Sequence, residues 1–567
     1  MNRRRSSTFL IPSLILGRKG SDMCRLKLVM AAAIAAVAVQ LLCVHPANAA
    51  TDDTTPKPPI KRVSPDDAAP RTALVVQDNA AMRAAAKDSS PAQAQLWRGE
   101  ALEIRGERPD HFQVYDYRRE RGGFVRKAAL LPLNGPAAQP DALLAALRVV
   151  RQQTGAESLG LGLAAAYVQS ASAAQMNGVD GAEVLDAMGT LAERLADRAS
   201  RTQPRSDGVA TVAPSAAETQ VAAHLDVAAR YGLRFRTLER EAGAMQLCYD
   251  GEAFRRLLAM PASTPEQKAR AALALTRVDC LDPVATPSQR EQMDQWRADV
   301  LDKVDLKDPA LATHWRNRVL MRQSGVWSSL AFIRARRASV AGVAASPVTL
   351  QVDASSAASR RSLEAFARIV PAELSDDDQP AYNDAAMRGN AMRWAALPAG
   401  GPEQTLGAVK LNVAAGQPGE TCLTLTMNGA REGIPSLLRH CVWGLVMTAS
   451  ARVNREGNAI TIASVPADGW RELWLLRRTA QGWKVSVLPP VAAQPGLGYA
   501  EFAGWVPGGK ELLVARESRA EGRYKRSYEL VDLDTLETRR QAGDMTMLGA
   551  FQRWQAADWK GTSLSAR

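Results

Sequence analysis

Trp505-Val506-Pro507-Gly508-Gly509-Lys510-Glu511-Leu512-Leu513-Val514 is the most informative stretch of this 567-residue sequence. Pro-Gly-Gly supplies a tight reversal, and the flanking residues carry the bulk and branching that favour extended backbone. The decapeptide therefore reads as a hairpin. Tyr499–Val506 and Glu511–Glu517 are its strands, followed by Ser527–Asp532 and Glu537–Arg540. Upstream the same rhythm gives Val442–Ala449, Ala459–Val465, Glu472–Arg477 and Trp483–Leu488, with Thr421–Met427 before them. Two stretches, 442–489 and 499–543, thus each carry four short strands. A β-rich, antiparallel domain is expected over 406–550, with 551–567 as a C-terminal tail.

The hairpin resembles the Trp-Ser-Pro-Asp-Gly-Lys-x-Leu-x-Phe step of blades in the periplasmic Tol-system β-propeller family, with Val506 and Gly508 replacing the Ser and the Asp. Tyr528-Glu529-Leu530-Val531-Asp532-Leu533-Asp534-Thr535 ends in the Asp-x-Asp-Thr turn frequent in such blades. A closed ring takes about four blades or more. The two legible ones imply a partial propeller or a blade-like sandwich.

Before this domain the composition changes. Residues 139–345 are rich in Ala, Leu, Arg, Glu and Gln, with Pro and Gly mostly between apolar-periodic runs. The runs are Asp141–Gln153, Glu157–Gln175, Val184–Ser200, Ala216–Leu238, Gly251–Leu258, Pro265–Val278, Ser288–Leu301 and Val326–Arg337. They predict a central all-α array, either a solenoid or an irregular bundle. No tetratricopeptide period is visible. Residues 346–405 read as a mixed linker in which Asp376-Asp377-Asp378 forms a solvated acidic loop, since adjacent carboxylates do not converge on one cation.

Within 94–135 three short strands alternate with turns: Leu96–Glu107, Phe112–Tyr117 and Gly122–Val125. The closing Gly123-Phe124-Val125 step resembles the bacterial SH3-like domain, over residues Gln95–Leu133. The resemblance implies a small β-barrel that binds peptides or cell-wall fragments through an aromatic groove. Trp97, Tyr115, Tyr117 and Phe124 are the candidates for that groove, the alternative being that two or three of them are core. Residues 50–93, poor in large apolar side chains, read as a disordered lead-in with a short helix near Ala80–Lys87.

The first 49 residues have the order of a secretory signal peptide. Arg18, Lys19, Arg25 and Lys27 precede an apolar run, Leu28–Val44, and Ala47-Asn48-Ala49 offers a cleavage site. Translation from Met23 and an uncleaved membrane anchor are the alternatives. Leu42 before Cys43 is too large for a lipoprotein signal. Removal of 1–49 leaves 64 basic and 58 acidic residues, a mildly basic surface that implies no nucleic-acid partner. A periplasmic location is expected, with no stable membrane insertion once the leader is gone. Cys248, Cys280, Cys422 and Cys441 remain, and in an oxidising compartment they read as Cys248–Cys280 and Cys422–Cys441, one of three connectivities.

For chemistry the sequence offers little. His111, His224, His314 and His440 are scattered singly, and no His-Glu-x-x-His, Cys-x-x-Cys, Gly-x-Ser-x-Gly or Ser-x-x-Lys motif occurs. No catalytic residue, metal or cofactor is assigned. Trp470, Trp474, Trp483, Trp505, Trp554 and Trp559 crowd the tail as a stacking platform or as core, and Trp470, after the Asp468-Gly469 turn, is expected to be the most exposed. The reading is an α+β multidomain, exported binding or scaffolding protein whose partner is an envelope protein or a peptidoglycan fragment. The alternative is an envelope hydrolase whose site is assembled from scattered residues.

Overall fold

The structure, a computed structural model, describes residues 71–562 except 203–213, 241–242, 342–347, 398–402, 430, 432–434, 493–495 and 521. The expected leader, Cys43 and residues 50–70 of the lead-in lie outside the described residues. Among the described residues no helix is long and apolar enough to cross a membrane.

The chain is mixed α+β. It opens with one antiparallel sheet of β1 (Arg71–Val75), β2 (Ala80–Arg83), β3 (Ala92–Leu96), β4 (Ala101–Glu107), β5 (His111–Asp116), β6 (Arg121–Arg126) and β7 (Leu130–Leu133). Their order is β3-β2-β6-β5-β4-β1-β7. Part of the expected disordered lead-in is therefore structural. β1 is an inner strand between β4 and β7, and the expected helix at Ala80–Lys87 is instead β2 and the turn after it. Short strands built on Ala and Thr are diluted by polar neighbours, so composition hid them. Ala73 and Val75 enter the core of the sheet, with Leu96, Leu102, Phe112, Val114 and Val125, whereas Leu74 points to the opposite face and into the helices.

The helical array comprises α1 (Pro140–Val150), α2 (Glu157–Ser170), α3 (Ala173–Asn177), α4 (Val179–Thr202), α5 (Ala216–Arg230), α6 (Glu252–Ala259), α7 (Pro265–Leu275), α8 (Pro287–Leu301), α9 (Thr313–Ala341), α10 (Val348–Ala367) and α11 (Gln379–Met392). Ser172, Ser215, Thr264 and Thr286 start α3, α5, α7 and α8 with capping boxes closed by Gln175, Glu218, Gln267 and Gln289. The expected helix over Ala216–Leu238 stops eight residues early. Gly232 takes φ +80°, and its N–H and that of Leu233 bond back to the Ala229 and Ala228 carbonyls, a left-handed stop. A hairpin follows, β8 (Phe235–Glu239) and β9 (Met245–Tyr249), and Cys248 on β9 is bonded to Cys280. The expected linker, 346–405, holds α10 and α11, which pack their apolar faces on α9. Asp378 is not a solvated loop residue: it is buried, 2.6 Å from Arg318 Nε and 2.7 Å from the Ser375 hydroxyl.

The C-terminal strands form two sheets. β10 (Glu403–Leu406), β11 (Val409–Ala415), β12 (Thr421–Met427) and β13 (Leu438–Val442) make a four-stranded sheet, where Cys422 and Cys441 face each other in register and are bonded. β14 (Leu445–Val453), β15 (Ala459–Ala467), β16 (Trp470–Thr479), β17 (Gly482–Leu488), β18 (Leu497–Trp505), β19 (Glu511–Ala520), β20 (Arg523–Asp532) and β21 (Thr538–Ala542) make an eight-stranded one. The two four-strand groups read from sequence are present, and they join because β16 forks. Residues 473–479 pair with β17, while Trp470 and Arg471 pair in parallel with Gly498 and Tyr499 of β18. Leu411, Leu423 and Leu425 pack against Ile460, Ile462, Trp474 and Leu476, so the small sheet covers part of the large one as in a sandwich. Two short helices, α12 (Gly549–Trp554) and α13 (Ala557–Thr562), close the chain over β18, with Phe551 and Trp559 in that core.

Candidate functional site

Alternation along β4, β5 and β6 sends Glu103, Arg105, Tyr115 and Phe124 to the face opposite the sheet's core. At the β1–β7 end this face is covered by helices, which receive Leu74, Leu131 and Leu133. At the β5–β6 end it is open. Tyr115 and Tyr117 stand edge to face with ring centroids 5.0 Å apart. The Arg105 guanidinium lies 3.8 Å above the Tyr115 ring and 5.9 Å from the Tyr117 ring. Glu103 holds the group together, accepting from Arg105 Nε at 2.8 Å and from the Tyr117 hydroxyl at 3.0 Å. Glu103, and after it the Tyr117 hydroxyl, raise the Arg105 pKa. Tyr117 remains 67 % exposed, and the residue opposite Tyr115 on β6 is Gly122, which has no side chain to cover the ring.

Three of the aromatics chosen from sequence thus share one face: Tyr115, Tyr117 and Phe124, the last half-buried opposite Gln113. None belongs to the core of the sheet. Trp97 does not join them. It starts the β3–β4 turn, which docks on the helices: Gly99, at φ +87°, leaves no space for a Cβ beside the Ser158 carbonyl and accepts from Tyr231 Oη at 2.6 Å. Trp470 is a correction. It is only 2 % exposed, because the Asp468-Gly469 turn folds against α11 and β18, where a Cβ on Gly469 would meet Leu497 Cδ1 at 2.9 Å. Trp474 and Trp559 are likewise buried, and Trp443 and Trp554 are the exposed tryptophans among the described residues of the tail.

The chain has no match among family models, curated proteins or solved structures.

His224 is fully buried, with Asp78 Oδ1 2.7 Å from Nε2 and Arg198 Nη2 2.6 Å from Nδ1. An arginine can only donate, so Nδ1 accepts and Nε2–H points at Asp78. Both nitrogens are used by these two contacts. Burial alone would raise the Asp78 pKa, but the His224, Arg98 and Gln220 contacts overcome it and hold the carboxyl down at about 2. The arrangement fastens the first sheet to α4 and α5. Glu420, Cys422 and Cys441 have metal-like spacing among the described residues, but both sulfurs are in the disulfide.

A further group was invisible in the sequence. A cavity of about 660 Å³ opens between α4, β9, α6, α7 and α8, with Tyr249, Phe254 and Trp296 among its walls. Glu193 of α4 lines it, and burial pushes its carboxyl up to about 7 despite Arg277 at 3.7 Å. Arg277 also pairs with Asp197 at 2.8 Å and with Asp279, whose carboxyl it holds below the usual range against the opposing effect of burial. A protonatable acid beside ionised carboxylates is a pattern that acid–base sites use. Residues 86 apart in sequence build it, and no local motif marks them.

Proposed function

We propose that this chain is an exported envelope protein that acts by binding. Its docking face is the Arg105–Tyr115–Tyr117 group of the N-terminal sheet, and the partner is a peptide of an envelope protein or a peptidoglycan fragment. The carrying observation is that an edge-to-face tyrosine pair with its guanidinium, and an exposed Tyr117 ring, stand at the open end of a face whose other end is buried. An exposed Tyr117 ring beside a fixed cation suits a sugar ring or an extended peptide. The short antiparallel strands support an SH3-like module, although they form an open seven-stranded sheet and not the expected small barrel; the packing of the two C-terminal sheets supports a blade-like β-domain, and both disulfides support assembly outside the cytoplasm. Cell fractionation distinguishes a released periplasmic chain from one tethered by its leader.

The test is retention of the full chain on isolated peptidoglycan. Tyr115→Ala and Tyr117→Ala should each lower retention about tenfold, as removal of a hot-spot aromatic does. Retention equal to that of the unmodified chain contradicts the reading. Glu193 favours a second reading, an envelope hydrolase. Soluble muropeptides released from the same peptidoglycan, and no longer released by Glu193→Gln, would establish it.

A further inference from the structure

A second large cavity, about 690 Å³, lies between α7, α8, α9, α11 and β19. Its size is that of a small-molecule site. Helical spacing aligns the wall: Arg318, Arg322, Gly325 and Ser329 fall on one side of α9, and Ala381, Ala385 and Arg388 on one side of α11. The small residues keep the space open. At Gly325 a Cβ would meet only Arg388 Cδ, at 3.6 Å.

Seven arginines and three aspartates line this space. Most of the arginines are answered. Arg318 pairs with Asp378 at 2.6 Å, Arg519 with Asp384 at 2.5 Å and Arg388 with Asp468 at 3.4 Å. Arg290 and Arg297 share Asp294, at 2.8 and 2.6 Å. Arg322 is different. Its Nη1 donates to the Thr276 carbonyl and, at 3.3 Å, to that of Leu273, both at the C-terminal end of α7. No carboxylate pairs with it, and its Nε and Nη2 have no protein partner among the described residues. Arg297 Nη2 donates to the same Thr276 oxygen at 2.8 Å, so two guanidinium groups crowd one neutral acceptor. Burial, and then the Arg297 charge, bring Arg322 down to about 10 against the more distant carboxylates of Asp279 and Glu193.

We propose that this cavity binds a phosphate-bearing small molecule, with Arg322 as its anchor and Arg297 and Arg388 at its sides. Guanidinium groups from three helices can meet oxygens that diverge from one centre, as those of a phosphate do. The two coplanar oxygens of a carboxylate fill one fork only. The volume exceeds that of the ion, and Leu273, Met321 and Val326 offer apolar wall to the rest of the ligand. This site is separate from the aromatic face and does not depend on it.

The experiment is calorimetric titration of the full chain with inorganic pyrophosphate at low salt. One saturable site is expected. Arg322→Lys, which keeps the charge but loses the fork, and Ala381→Trp, which fills the space from an exposed position, should each weaken binding at least tenfold. No saturable binding at millimolar pyrophosphate, or equal affinity in both variants, overturns the proposal. A third readout needs no variant: pyrophosphate should protect Arg322 from phenylglyoxal, mapped by mass spectrometry. Unchanged labelling also overturns it.

Discussion

Two pairs of enclosed arginines in this molecule have opposite surroundings. Arg393 and Arg471, where α11 ends against the large sheet, share one carboxylate. Glu501 of β18 pairs with Arg393 and lies 3.2 Å from Arg471, and all three side chains are almost fully buried. The space left beside them is about 10 Å³. Arg322 has no carboxylate within 4 Å and shares the Thr276 carbonyl with Arg297, which alone of the two is paired with Asp294, and both border about 690 Å³. Burial of the same side chain therefore has two meanings. With an enclosed counter-charge it fastens layers together, and with spare donors facing a cavity it is ready to receive an anion.

The largest effect that would break this contrast is at Glu501. Glu501→Gln leaves two buried guanidinium groups without their carboxylate and should cost about 3–5 kcal/mol. Urea denaturation measures it, and a loss within about 0.5 kcal/mol, the range of ordinary surface changes, would mean the cluster fastens nothing.

The pH dependence sharpens the contrast, because burial prevails at Glu193 whereas hydrogen-bonded partners prevail over burial at Asp78. Glu193 titrates near 7 when folded against 4.5 ordinarily. Its contribution is complete below 4.5 and lost as pH rises through 7. The loss reaches roughly 3 kcal/mol, since a tenfold change in acidity corresponds to about 1.4 kcal/mol. Between pH 5 and 8 the wild type should lose stability relative to Glu193→Gln. Asp78, in the closed junction with His224, titrates at about 2 against 3.8. Its contribution, roughly 2 kcal/mol by the same conversion, is present above 3.8 and lost as pH falls toward 2. Asp78→Asn should therefore be less stable than wild type at pH 6 and converge with it in acid. A pH-independent difference in either pair removes the electrostatic explanation.

The smallest effect is expected at Arg322. Without ligand, Arg322→Met removes a guanidinium that has no carboxylate within 4 Å and keeps the apolar stem of the side chain, so stability should stay within about 1 kcal/mol of wild type. A loss comparable to that at Glu501 would make Arg322 a fastener too.

Legibility followed range along the chain. Thr421–Met427 appears with the boundaries read from sequence, and the hairpin around Pro507-Gly508-Gly509 forms, because strand alternation and turn chemistry are local. Both disulfides join the nearest cysteines in sequence. β1 was hidden because its neighbours are polar and it pairs with strands about 30 and 60 residues away. Trp470 was misjudged because a turn residue is exposed only if nothing docks on the turn, and α11 does. Of the candidate site, Tyr115, Tyr117 and Phe124 were picked out with Trp97 by the SH3-like resemblance, and strand alternation puts those three on one face. The arginine cavity was not. Arginines on helices read as solvated faces, and only the packing of α8, α9 and α11 with β19 brings Arg290 and Arg519 to one space.

The most direct measurement is the urea midpoint of three proteins, wild type, Arg322→Met and Glu501→Gln, with and without millimolar pyrophosphate. A ligand bound only by the folded state raises the midpoint. Pyrophosphate should raise it for wild type and Glu501→Gln by the same increment and leave Arg322→Met unmoved. An equal rise in all three, or none in any, would show that the open arginine pair receives no anion.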